Sequence, residues 1–368
     1  MKTINYLIMA LMILKASITS AQGQTINVKN EEVSFKSGDA VYSGTFSVPD
    51  DNKSHPLVIL VSGMGPQDRD WAFAGGKFKM ACILADYLNQ RGIAVYRYDD
   101  RGFGKSTGTA EGLMSFNDLA LDMERAVAYF RTRPGIGKIG LCGHSLGGIL
   151  SVMAASEDND IDFIITLSGA FQNGADILRE QAATLKRWRT SDSMSEKEVI
   201  DNGINFANNL VSYAKYGTGI DSIRSTLTAL VNYQVSKIPP AKMVENLKRF
   251  KDTADLVKQS FDEAFAFYTS PHQKSYMLYD ASSDFSKIKC PVLTMFGSMD
   301  KHVVVGSHLP KVLDGVRNSS ISDLTIRIVP GADHGYTNST LMKTGKMIPG
   351  TLEFIADWIS SRTSADPQ

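Results

Sequence analysis

The 368-residue chain lacks a surplus of charge. Its 39 Lys and Arg are balanced by 39 Asp and Glu, and no long run of one sign occurs. That leaves no electrostatic footprint for nucleic acid or for an anionic membrane surface. Cysteine is also scarce. Cys82, Cys142 and Cys290 are odd in number, far apart, and each sits in or beside an apolar segment. Such spacing excludes a disulfide framework and points to buried, inert thiols. There is no internal repeat or low-complexity tract, and no recognisable propeller repeat. A comfortably long membrane span is missing as well: the apolar run Tyr6 to Leu14 is too short for one.

That short run has its own meaning. Lys2 precedes it, and the small, polar stretch Ala16 to Ser20 and then Ala21 follow it. This basic–apolar–cleavable order is the pattern of a secretory signal peptide, predicted over residues 1–21, and it implies export to the periplasm or beyond. No cysteine follows the run, so lipid attachment there has no support.

The mature chain reads as alternating strands and helices. Glu31 to Ser37 and Ala40 to Val48 form a hairpin around Ser37-Gly38-Asp39. Pro56 to Val61, Ile93 to Tyr98, Phe163 to Leu167 and Val292 to Phe296 are nearly continuous apolar runs, as in strands covered on both faces. Helical spacing separates them over Lys79 to Arg91 and Phe116 to Arg131. The class is therefore α/β, with a mostly parallel central sheet and helices on both faces. From about Phe171 to Asp284 the alternation stops. Ile177–Arg189, Ser195–Tyr213, Ile223–Tyr233 and Ala241–Tyr268 all read as helices, whose repeated aromatics favour a packed insertion over a linker. The expected organisation is a core over 22–171 and 286–368, with a helical cap over 172–285.

The chemistry concentrates at Gly143-His144-Ser145-Leu146-Gly147. An apolar strand pattern ends there and a small-residue helical pattern begins, which puts one hydroxyl on a sharp strand-to-helix turn. A serine hydroxyl needs a base within reach and a third group to orient that base. In this arrangement acid and histidine follow the serine in that order. Asp300 follows the strand Val292 to Phe296, and His334 follows the strand Leu324 to Val329. Asp333 is a rival for the acid but adjoins His334 in the chain. Asp284 and Asp323 precede strands, at the wrong sheet edge. His144 suits packing or orientation, and His302 and His308 lack the strand-end context. The oxyanion formed during acyl transfer needs two amide donors. Leu146, just after the nucleophile, supplies one; Met64 in Gly63-Met64-Gly65 supplies the other.

With these residues in hand, the chain resembles an α/β-hydrolase of the serine-esterase type. Residues 143–147, Gly63-Met64-Gly65, Gly297-Ser298-Met299-Asp300 and His334 carry the resemblance. More narrowly, Gly65-Pro66-Gln67-Asp68-Arg69-Asp70 and Asp99-Asp100-Arg101-Gly102-Phe103-Gly104-Lys105-Ser106-Thr107-Gly108 are similar to a bacterial group of capped carboxylesterases related to acyl-peptide-hydrolase-like enzymes. Two positions depart from that pattern. Ser62 stands where many relatives carry histidine, which affects how the oxyanion loop is braced. Leu146 stands where the narrower group often carries glutamate. The charges at Asp68, Arg69, Asp70, Asp100 and Arg101 are expected to brace loops; a substrate carboxylate held by Arg69 or Arg101 is the alternative. The resulting expectation is an exported serine hydrolase that cleaves a small-molecule ester through an acyl-enzyme. It needs no metal or organic cofactor, no nucleic acid and no stable membrane span. A peptidase or amidase using the same triad, and a binding protein on an inactive scaffold, are the alternatives. The oligomeric state is not legible.

Overall fold

A computed structural model describes residues 25–364, apart from 186, 318 and 322. The expected signal peptide, residues 1–21, lies outside the described residues. Among the described residues no helix is long and apolar enough to cross a membrane.

The main sheet has eight strands: β1 Val28–Ser37, β2 Ala40–Pro49, β3 His55–Val61, β4 Ala94–Tyr98, β5 Ile136–His144, β6 Phe163–Leu167, β7 Val292–Gly297 and β8 Leu324–Val329. They lie in the order β1-β2-β4-β3-β5-β6-β7-β8. The β1–β2 and β2–β4 pairs are antiparallel; every pair from β4–β3 onward is parallel. The β1–β2 hairpin turns at Gly38, whose φ of 56° a side chain would disfavour.

The apolar runs of the central strands are explained by burial on both faces. Along β3, Leu57, Ile59 and Val61 join one core, while Val58 and Leu60 join the other. In β6, Ile164 faces the first core and Phe163, Ile165 and Leu167 the second. Helices α1 Met80–Asn89, α2 Phe116–Arg131 and α3 Leu146–Glu157 cover these faces. α2 begins on a capping box, in which Ser115 and Asp118 satisfy each other's backbone amides. The three cysteines are free, with Cys142 fully buried. Burial pushes their thiols up to about 12, so they are poor nucleophiles.

Between β6 and β7 the chain is helical, with α4 Gly174–Leu185, α5 Glu196–Tyr216, α6 Ile220–Ser236, α7 Pro240–Asn246, α8 Thr253–Tyr268, α9 Pro271–Leu278 and α10 Ala281–Phe285. The stretch expected as one helix over Ala241–Tyr268 is two. α7 stops at Asn246, and the Asp252 carboxylate starts α8 anew by accepting the Asp255 N–H at 2.8 Å. Two elements went unforeseen here: α9, which starts on Ser270-Pro271, and α10. The expected helix to Arg189 ends at Leu185. Most of the segment's aromatics pack on one another, as in Trp188–Phe206 and Phe206–Tyr268, although Tyr216 is exposed. Two further helices, α11 Val305–Val316 and α12 Thr351–Thr363, follow β7 and β8.

Candidate active site

Ser145 caps the carboxyl end of β5 with φ 55° and ψ −114°, a conformation uncommon for a residue with a side chain. Its surroundings hold it there. Its N–H donates to the Leu167 carbonyl at 2.9 Å, and its carbonyl accepts the Gly148 N–H at 3.0 Å. The turn tolerates only glycine on either side: a methyl at Gly143 would strike the Gly147 carbonyl, and one at Gly147 would strike that of Val61. The local sequence thus folds tightly enough to project one hydroxyl above the sheet.

Asp300 and His334 lie on the loops after β7 and β8, at the same sheet edge. His334 Nδ1–H donates to Asp300 Oδ2 at 2.7 Å. The other carboxylate oxygen accepts the N–H groups of His302 and Val303 at 2.8 and 2.9 Å. The Asp300 side chain is fully buried. Burial alone would raise its pKa, but the bond to His334 and the two amides outweigh this and hold the carboxyl below its ordinary value. In the neutral imidazole this bond places the proton on Nδ1 and the lone pair on Nε2.

His144 is a support. Its Nε2–H donates to the backbone carbonyl of His334 at 2.9 Å, and its ring lies 4.7 Å from that of His334. Burial, aided by repulsion from His334, drives its pKa down to about 3, so it stays neutral. Among the described residues none hydrogen-bonds to the Ser145 hydroxyl. Such a contact is often loose in an unliganded site.

The rival acids are engaged elsewhere. Asp333 accepts the Gly335 and Thr337 N–H groups and shapes the His334 turn. Asp323 pairs with Arg362, and Asp284 lies near Lys287. His308 is fully buried, where its Nδ1 accepts the Gln172 N–H.

The loop after β3 is braced from below. Ser62 Oγ–H donates to Asp100 Oδ1 at 2.5 Å, and the Gln67 N–H donates to Oδ2 at 2.6 Å. Burial pushes the Asp100 carboxyl up to about 8 despite those donors. This is how the chain secures the loop with serine at position 62. Met64 and Leu146 both line the space in front of Ser145. The Leu146 N–H is the first of α3 and therefore has no acceptor within the helix. Its side chain, 1% exposed, gives an apolar wall beside the serine.

The surrounding charges are internal braces. Arg69 pairs with Asp99 and Glu32; Arg101 pairs with Asp122 and Asp39. Neither arginine is left to meet a substrate carboxylate.

Ser145, His334, Met64 and Leu146 share a cavity of about 390 Å³. Its opposite wall comes from the helical segment: Ile177, Leu178 and Gln181 of α4, Phe267 and Tyr268 of α8, and Gln273 and Tyr276 of α9. A second cavity of about 360 Å³ lies beyond His334, between Phe73, Met299 and Met342. His302 lines both. Sequence reasoning set His302 aside, and it missed Gln181, Gln273 and Arg187. None of these sits in a motif.

This sheet order, with Ser145 on a strand-to-helix turn, is the α/β-hydrolase fold. The Pyrococcus furiosus esterase Pf2001 superposes with a TM-score of 0.53 at 14% identity, covering 91% of this chain and 92% of its own. The α/β-hydrolase GrgF from Penicillium sp. sh18 does so with a TM-score of 0.53 at 16% identity, over 91% and 98%. At such identities the likeness concerns fold alone. By sequence, residues 75–213 match the hydrolase family described as serine aminopeptidase, S33. Esterase EstD of Thermotoga maritima is 26% identical over 153 residues, 42% of this chain and 36% of that protein. The alignment thus spans only about a third of EstD.

Proposed function

We propose that the protein is a serine hydrolase that cleaves small carboxylic esters through a covalent acyl-enzyme. The observation that carries this reading is the shared cavity, in which the Ser145 elbow faces a histidine already held on a buried carboxylate. In the proposed sequence, His334 Nε2 takes the Ser145 proton as Oγ attacks the acyl carbonyl. Asp300 keeps the proton on Nδ1 and stabilises the imidazolium. The amides of Leu146 and Met64 receive the oxyanion; one such donor typically contributes about 3 kcal/mol to the transition state. His334 then protonates the departing alcohol and later activates water. The alcohol oxygen must be within reach of that imidazole. The leaving group accordingly takes the cavity beyond His334, and the acyl group takes the one lined by Leu146, Ile177, Leu178 and Phe267.

The esterase names of the relatives are consistent with this reading, and the aminopeptidase name of the matched family favours amide cleavage as the second. Parallel turnover of p-nitrophenyl esters and aminoacyl anilides separates the two. Ser145→Ala should abolish turnover and labelling by a fluorophosphonate; full activity in that variant would sink the mechanism. Export is part of the proposal and rests on the pattern of residues 1–21. The amino-terminal sequence of protein recovered from the periplasm or medium would test it, with Gln22 as the expected first residue.

A further inference from the structure

The arginines around the reactive rim divide sharply. Arg69, Arg97 and Arg101 each meet at least one carboxylate. Arg187, on the cavity wall contributed by the helical segment, meets none among the described residues. Its Nη2 donates to Gln181 Oε1, and Gln181 is tied in turn to the backbone by donating from Nε2 to the His302 carbonyl at 3.3 Å. The guanidinium is thereby held by a neutral amide, with its remaining donors free. Its charge reaches into the cavity: burial pushes the Tyr268 and Tyr276 phenols up, and Arg187 opposes that rise at both. Gln273 is 2% exposed and lines the same space, yet its side-chain amide has no partner among the described residues. No Asp or Glu side chain lines this cavity.

Arg187 is solvent-exposed, and neither its guanidinium nor the Gln273 amide has a buried unsatisfied atom, so both present their unused donors to the same open cavity, where an anionic group would meet them. From this arrangement we infer that the cavity accepts an acyl group ending in a free carboxylate, so that the substrates are monoesters of dicarboxylic acids. Arg187 binds the carboxylate and Gln273 donates to it. One positive charge and a neutral amide match a monoanion; a phosphate dianion would leave a charge unmatched. The planar fork of arginine suits a carboxylate bidentately, whereas a lysine would act as a point charge. The inference rests on the ester-hydrolase reading and on its assignment of the acyl side to this cavity.

The test compares p-nitrophenyl hemiesters of succinate, glutarate, adipate and suberate with neutral acyl esters of equal length. In the wild type, the charged ester should exceed its neutral counterpart in kcat/KM by about fivefold or more at one length at least. Arg187→Gln should bring that ratio to near one, Arg187→Lys should keep part of it, and 0.5 M NaCl should shrink it in the wild type. A wild type that prefers the neutral ester at every length overturns the inference, as does an Arg187→Gln variant that keeps the ratio. Calorimetric titration of Ser145→Ala with free glutarate and adipate gives a readout independent of turnover. Binding there that Arg187→Gln removes supports the inference even if no ester is cleaved, a result that would sink the ester reading alone. Absence of dicarboxylate binding in Ser145→Ala counts against the inference.

Discussion

The sheet core buries some of its ion pairs, whereas the pairs Arg179–Asp176, Lys197–Asp201, Lys237–Asp192 and Lys258–Asp262 of the helical segment above it all stand exposed. In the core, Arg101 and Asp122 are 3% and 4% exposed by side chain, and the Tyr42 hydroxyl adds a 2.6 Å bond to the same carboxylate. In the helical segment, Lys258 and Asp262 are 73% and 55% exposed and span one helical turn. A buried pair fixes geometry because either partner left alone is penalised, whereas an exposed pair is screened and contributes little. The buried pair thereby fixes the loop after β4 against α2.

Three experiments probe that contrast. The largest effect is expected at Asp300, which in the proposed mechanism orients the base. Asp300→Asn should lower kcat on the order of 10⁴-fold with the fold intact by circular dichroism, because the amide no longer fixes the Nδ1–H tautomer of His334. A loss below tenfold would show that the carboxylate does not orient the base. Next is stability. Arg101→Ala leaves Asp122 buried without its cation and should cost about 3–5 kcal/mol in urea unfolding. Lys258→Ala should leave the midpoint unchanged. Equal shifts in the two variants would erase the distinction between the regions.

The smallest effect sharpens the comparison at the seam. His272 of α9 is 1% exposed and packs edge-on against Phe116 of α2, with ring centroids 5.1 Å apart. Burial drives its pKa down to about 4. Below pH 6.5 the unfolded chain therefore binds a proton that the folded one refuses. The stabilisation is complete above about pH 6.5 and is lost as the pH falls toward 4. The slope is about 1.4 kcal/mol per pH unit for one group. His272→Phe should flatten the fall in stability over that interval by about this amount. An unchanged profile would mean that the seam opens to water on acidification before the core unfolds.

Much of the site was legible because its chemistry constrains short stretches. Gly143, Ser145 and Gly147 could be read together because the turn leaves no room for side chains at the two glycines. Asp300 and His334 were legible from strand ends, since parallel strands deliver their following loops to one edge. The break between α7 and α8 was less visible: Asp252 is a helix-starting residue inside an otherwise helical pattern, and spacing alone ran across it. His302 was set aside because its value lies in a backbone bond to Asp300 and in the cavity it borders.

The sequence by itself determined the alternation of buried strands and covering helices, the strand-to-helix turn at Ser145, and the chain order of the candidate residues Ser145, Asp300 and His334. Each of these is a rule about neighbours, written in periodicity, glycine and residue type over a few positions. Only the tertiary structure decided which arginines are spent on carboxylates and which one faces the cavity. It alone placed the His144 imidazole under the His334 carbonyl, a contact between residues 190 positions apart. Partners so distant along the chain meet through the path of the whole backbone, and no local pattern specifies that path.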